Sequence, residues 1–254
     1  LESGAATWAL NEIFAGRASE VQIAALLTAL RAKGETEDEI AGLAEAMLAN
    51  ATPLALDPDA VDIVGTGGDR ANTVNVSTMA AIVAAGAGAK VIKHGARAAS
   101  SMAGTADTLE ALGVKIDVEP AKQAAILEHV GISFLFAQQY HPSMKNVAGV
   151  RRQLGIQTTF NFLGPLANPA RPRAMALGVA NDGVAPVIAR VLAERGTRGL
   201  VFRGFDGLDG AASENALQHI VFDLLDFSLA PVLLFIKQLF HLVTPFIDRQ
   251  STYS

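Results

Sequence analysis

The chain has 254 residues, half of them hydrophobic, which suits one large domain or two small ones with a sizeable core. A formal net charge of −5 with no Lys/Arg-rich block argues against a basic stripe for nucleic acid. The absence of cysteine excludes disulfides and thiolate metal sites and fits a reducing, cytoplasmic setting.

At the N-terminus, Glu2 and Glu20 flank weakly apolar helical sequence, unlike the basic start of a secretory signal. The chain starts at Leu1 rather than methionine, as a fragment would. The opening section reads as helices only. Ser19 is placed to cap a helix that carries Ile23, Leu26, Leu27 and Leu30 at helical spacing and stops at Gly34. Thr36 followed by Glu39 predicts a capping box for a second helix, with Ile40, Leu43 and Met47 on one stripe. A proline-containing connection, Thr52 to Pro58, closes this helical subdomain, taken as residues 1–56.

From Val61 strands and helices alternate. Strands are expected at 61–64, 90–93, 132–136, 175–180 and 200–202. Helices are expected at 77–87, 106–112, 120–128 and 184–194. Such alternation predicts an α/β domain, residues 57–210, with a mainly parallel sheet covered by helices. Ligands of such sheets sit beyond the carboxyl ends of the strands. After Asp209 the pattern changes, and residues 211–254 form an atypical apolar tail that reads as an altered or truncated end of the fold. Its most apolar stretch, Phe227 to Ile247, is interrupted by Pro231, Lys237, Gln238, His241 and Pro245, which disfavours a membrane span.

Three segments at strand ends carry chemistry. Gly65-Thr66-Gly67-Gly68-Asp69 follows the first strand, where glycines let backbone amides approach an anion. It lacks both the P-loop ending and the dinucleotide glycine spacing, and taken alone such a glycine cluster is more often a tight strand-to-helix turn. Asn75-Val76-Ser77-Thr78 precedes an apolar helix, so hydroxyls and an amide gather at a positive helix end, with Ser77 read also as a plain N-cap. Lys93-His94-Gly95-Ala96-Arg97 continues through Ser100, Ser101, Gly104 and Asp107, with Lys93 read as a phosphate counter-charge or a solvated strand terminus. Further on, Arg151 falls on the stripe of Met144, Val147 and Ala148 in a helix starting at Pro142. An arginine there needs an anionic partner or an exit to solvent.

Taken in order, GTGGD, NVST, KHGxR and SSxxGxAD resemble anthranilate phosphoribosyltransferase. Phe134 to Pro142, Val150 to Gly155 and Asn161 to Pro169 agree, so the resemblance runs from about Ala6 to Asp209. It implies transfer of the phosphoribosyl group from phosphoribosyl pyrophosphate (PRPP) to anthranilate, with Mg2+ on the donor. It assigns Gly65, Thr66, Gly67, Gly68, Asp69, Asn75, Ser77, Thr78, Lys93, Gly95, Arg97 and Ser101 to the donor. Gly65, His94, His141 and Arg151 go to the acceptor, and Ser77 and Asp209 to the metal. No residue is implied as acid, base or nucleophile. The family resemblance also implies a homodimer joined through the helical subdomain.

Two positions depart from the family pattern. Ala96 stands where the motif has asparagine, and Gly210 where an Asp-Glu pair should end. These departures leave open a second reading, a catalytically impaired homologue that still binds the donor or a related phosphorylated ligand. The tail leaves open a third, a truncated product that folds poorly.

Overall fold

The computed structural model describes residues 1–67, 75–98 and 104–203. Three helices come first: α1 (Ser3–Phe14), α2 (Glu20–Lys33) and α3 (Glu37–Ala49). Capping chemistry sets two of their starts. Ser19 Oγ accepts from Gln22 N–H at 3.3 Å, and Gln22 Oε1 accepts from Ser19 N–H at 2.9 Å. Thr36 and Glu39 repeat the exchange at 3.4 and 2.8 Å. Gly34 ends α2 with φ of 81°, a conformation that disfavours any side chain. In α3 the expected stripe of Ile40, Leu43 and Met47 is buried, and so are Gly42, Ala44 and Ala46. A Cβ on Gly42 would stand 2.2 Å from the Ser3 carbonyl oxygen, so α1 and α3 meet at backbone distance.

The strands are β1 (Val61–Gly65), β2 (Val91–Gly95), β3 (Ile132–Phe136), β4 (Ala174–Gly178) and β5 (Arg198–Phe202). They form one parallel sheet in the order β3-β2-β1-β4-β5. The helices between and around them are α4 (Val76–Gly86), α5 (Thr105–Ala111), α6 (Gln123–Val130), α7 (Ala137–Tyr140), α8 (Lys145–Leu154), α9 (Phe160–Leu163) and α10 (Ala185–Glu194). The parallel α/β expectation therefore holds, with corrections at element ends. β2 runs on to Gly95 because β3 pairs with it from Val91↔Ile132 to Gly95↔Phe136, which puts Lys93 and His94 inside the strand. β4 stops at Gly178 instead of 180, and β5 starts at Arg198 instead of 200. The four-residue helices α7 and α9 were not expected, since one turn is too short to show a period.

One apolar core runs from the helical end into the sheet. It joins Leu10 of α1, Leu27 of α2 and Ile40 of α3 to Leu163, Leu177 and Ile188. Helix α8 adds Val147 and Val150 to it, so the segment carrying Arg151 is packed on the helical subdomain. Among the described residues no helix is long and apolar enough to cross a membrane. The stretch from Phe227 to Ile247, and the rest of the tail, lie outside them.

Candidate functional site

The chain order of the strands reverses between β1 and β4, and in parallel sheets the crevice for a ligand opens at such a point. Thr66 fixes it. Its N–H donates to Gly178 O at 2.9 Å, and its Oγ1 accepts from Ala180 N–H at 3.1 Å. Gly67 follows with φ of 64°. A shallow cleft lies here, lined by Thr66 and Gly67, by Asn181 beyond β4, by Asn161 of α9 and by Arg31 of α2. Gly68 and Asp69, the rest of the glycine segment, lie outside the described residues.

Helix α4 begins one residue earlier than expected, with Asn75 as its cap in place of Ser77. Asn75 Oδ1 accepts from Thr78 N–H at 3.0 Å, from Thr78 Oγ1 at 2.8 Å and from Ser77 Oγ at 3.1 Å. Asparagine reaches these donors because its acceptor stands one bond further out than a serine hydroxyl. With its proton on Asn75, Ser77 Oγ keeps its lone pairs for another partner. Lys93 Nζ donates to its Oγ at 3.2 Å and to the Ile63 carbonyl at 2.5 Å.

Lys93 is only 1 % exposed, so the reading of a solvated strand terminus is corrected: the extended β2 buries it. Burial pushes its pKa down to about 8, against the opposing pull of the Asp62 carboxylate. Asp62 is fully buried too, and burial raises it to about 6, with Lys93, the Asn168 amide and the His94 N–H holding it lower than burial alone would. Asp62 and Asn168 carried no expected role. The signal for Asp62 was one acid inside the apolar strand Val61-Asp62-Ile63-Val64.

His94 is buried, and its Nε2 has no hydrogen-bond partner among the described residues. Its ring stands edge-on to His141 at 5.2 Å, and His141 Nε2 donates to Ala167 O at 2.8 Å. Burial and the nearby His141 bring the His94 pKa to about 3, and burial lowers that of His141. His94 is neutral at physiological pH. The structure thus brings two of the expected acceptor residues together.

Beyond β2 the chain turns tightly. A Cβ on Gly95 would approach Thr105 Cβ to 2.9 Å, so glycine is needed there for packing. Asp107 Oδ2 accepts from Ala98 N–H and from Gly104 N–H, both at 2.9 Å. Arg97, expected on the donor side, is paired within the protein. Its guanidinium bonds Asp107 at 3.0 Å and forks onto Glu110 at 2.6 and 2.9 Å, over the Phe136 ring. Two carboxylates take three of its five N–H donors. Ser101 lies outside the described residues.

Arg151, in the last turn of α8, places its guanidinium 5.4 Å from the Phe160 ring centre. It has no carboxylate partner among the described residues, and burial lowers its pKa. A half-desolvated, unpaired guanidinium on an aromatic face is suited to a planar carboxylate. No cluster of three His, Cys, Asp or Glu residues able to hold a metal occurs among the described residues. Ser77 Oγ, already beside an ammonium, suits only a cation that arrives with phosphate oxygens. Asp209 lies outside the described residues.

Comparison with known proteins gives the family and the fold. Residues 57–223 match the model of the glycosyl transferase family α/β domain, and residues 1–51 match that family's helical bundle domain. The chain is 61% identical over 202 residues to an anthranilate phosphoribosyltransferase of Arthrobacter sp. (strain FB24), covering 80% of this chain and 57% of the relative. It is 58% identical over 202 residues to that of Thermobifida fusca, covering 80% of this chain and 58% of the relative. The crystal structure of anthranilate phosphoribosyltransferase from Thermus thermophilus superposes with a TM-score of 0.80 at 46% identity, covering 84% of this chain and 64% of that one. The Saccharomyces cerevisiae enzyme in complex with PRPP and Mg gives 0.78 at 34% identity, with the same coverages of 84% and 64%. This chain thus spans roughly three fifths of the length of these relatives.

Proposed function

The chain belongs to the glycosyl transferase family, and from that membership we propose that it transfers the phosphoribosyl group of PRPP to anthranilate. The products are N-(5-phosphoribosyl)anthranilate and pyrophosphate. The observation that carries this reading is the Lys93 ammonium on Ser77 Oγ, at the N-terminus of α4 and beside the ends of β1 and β2. A buried cation beside hydroxyls at a helix N-terminus favours a multiply charged phosphate.

The donor would lie over Gly65, Thr66, Gly67, Gly68 and Asp69, with its phosphates against Asn75, Ser77, Thr78 and Lys93. Gly95 would serve the donor by letting the chain around Thr105 pack close against the end of β2. The carboxylate of anthranilate would pair with Arg151, and its ring would lie toward His94 and His141. The amine nitrogen attacks the anomeric carbon as the bond to pyrophosphate breaks, and its electron pair leaves with pyrophosphate. The amine then loses a proton to solvent or to the leaving group. Positive charge develops on the sugar, so the protein's task is alignment and leaving-group stabilisation. No acid or base is required.

Magnesium, held by the donor's phosphates with Ser77 and Asp209, would supply charge neutralisation on the leaving pyrophosphate. We place the two units at residues 1–56 and 57–210 and the chain in the cytoplasm as a homodimer. Trp8 on α1 and Val21 on α2, 66% and 78% exposed, support an interface on the helical subdomain.

The test follows anthranilate fluorescence in the presence of PRPP and magnesium. Loss of signal dependent on both is expected. A flat trace with pyrophosphate still bound in calorimetry would replace transfer by the donor-binding reading, which Ala96 favours.

A further inference from the structure

The seam between β1 and β2 departs from the rest of the sheet. Every other neighbouring pair keeps register over five residues, whereas β1 and β2 pair only at Val61↔Val91. Val61 N–H donates to Lys90 O at 2.9 Å. A parallel ladder continuing from there would send His94 N–H to the Ile63 carbonyl, and Ile63 N–H to the Ile92 carbonyl.

Side chains take three of those four backbone groups instead. Asp62 Oδ1 accepts from His94 N–H at 3.3 Å. Lys93 Nζ holds the Ile63 carbonyl at 2.5 Å, and Asn168 Nδ2 holds the Ile92 carbonyl at 2.9 Å. Asn168 Nδ2 also donates to Asp62 Oδ2 at 2.9 Å. Its own Oδ1 accepts from Ala170 N–H at 3.0 Å, which fixes the orientation of the amide. Asp62, Lys93 and Asn168 are 0%, 1% and 3% exposed, so solvent does not substitute for any of them.

Two charges in the middle of a sheet are costly where an apolar residue at position 62 would let the ladder close. Closure would hand the Ile63 carbonyl to His94 N–H and strip Lys93 of its shorter hydrogen bond. The seam opens toward Gly65 and Gly95, where the connections to α4 and α5 begin. Its width therefore sets both the reach of the ammonium to Ser77 and the spacing of these two connections.

We propose that Asp62, with Asn168, is a positioning residue that holds the β1–β2 seam open so that Lys93 presents its ammonium at Ser77. Asp62 touches no substrate in this role and acts through Lys93. The ligand rests on the phosphoribosyl-transfer reading, and the geometry does not.

The experiment compares wild type with Asp62→Val, which invites the ladder to close. Asp62→Asn, which keeps the side-chain volume but lacks one acceptor, stands in if the valine variant does not fold. Three readouts are taken on protein with a cooperative melt: acylation of Lys93 by an amine-reactive reagent followed by mass spectrometry, calorimetric binding of magnesium pyrophosphate, and steady-state kinetics. Loss of the Ile63 anchor is expected to speed acylation of Lys93 at least tenfold and weaken pyrophosphate at least tenfold. The KM for PRPP should rise while the KM for anthranilate holds, a split that general loosening would not produce. A folded variant that keeps the wild-type acylation rate at Lys93 overturns the proposal. A wild-type chain that neither binds pyrophosphate nor consumes anthranilate overturns the transfer reading alone, and the acylation rates still decide the seam.

Discussion

Replacing Lys93 by methionine separates what this residue costs the fold from what it gives the site. The side chains are similar in length, and only the charge and its donors disappear. Burial has moved the lysine from an ordinary 10.5 to about 8. The native state therefore binds fewer protons than the unfolded chain at intermediate pH. That penalty is fully present below about pH 8 and relieved as pH rises toward 10.5. A shift of this size corresponds to about 3 kcal/mol. Methionine removes the penalty but leaves the Ile63 carbonyl without its donor, at a cost of about 1–3 kcal/mol, and leaves Asp62 to take up a proton. The two effects nearly cancel, so the melting temperature at pH 7 should change little. The wild-type gain in stability between pH 8 and 10.5 should vanish in the variant. Binding behaves otherwise. One lost charge-assisted contact to phosphate, about 1.5–3 kcal/mol, weakens magnesium pyrophosphate roughly 10- to 150-fold. Thermal melts from pH 6 to 10.5 and calorimetric titration make the measurement. Unchanged pyrophosphate affinity, or a loss of several kcal/mol of stability at pH 7, would refute the reasoning.

Arg151→Ala should raise the KM for anthranilate about tenfold or more, through loss of about 1.5–3 kcal/mol of charged hydrogen bonding, with the KM for PRPP unmoved. Equal changes in both constants would remove Arg151 from the acceptor side. Gly42→Ala, whose new Cβ meets the Ser3 carbonyl at 2.2 Å, should destabilise the chain by about 1–3 kcal/mol in urea unfolding. Asp62 has its folded pKa raised to about 6 from 3.8, so its contribution to stability is full below the unfolded value and is lost as pH rises through 6. Wild type should lose about 3 kcal/mol on this account between pH 4 and 6, and Asp62→Val should lack that slope.

How much is legible in the sequence differs from element to element. Ser19 with Gln22 and Thr36 with Glu39 are local exchanges, so spacing alone reveals the starts of α2 and α3. The alternation of apolar runs with helical periods similarly points to the parallel sheet. Residue types in fixed order carry the family resemblance, because backbone approach to phosphate needs glycines whatever surrounds them. The glycine, NVST and KHG segments therefore stand out as bare strings of residues. Boundaries are less legible. β2 continues to Gly95 only because β3 pairs with it, a partner 41 residues on by register.

The Lys-His-Gly segment shows where sequence stops. Residue order alone made Lys93 a cation near a strand end, and left its burial open. Tertiary structure decided that it is enclosed, that Asn75 caps α4 and so leaves Ser77 to it, and that Arg97 turns to Glu110. It also joined Asp62 and Asn168, 106 residues apart, into one hydrogen-bonded pair. The physical reason is that a pattern records what each residue prefers, whereas desolvation and pairing depend on which distant atoms close around it.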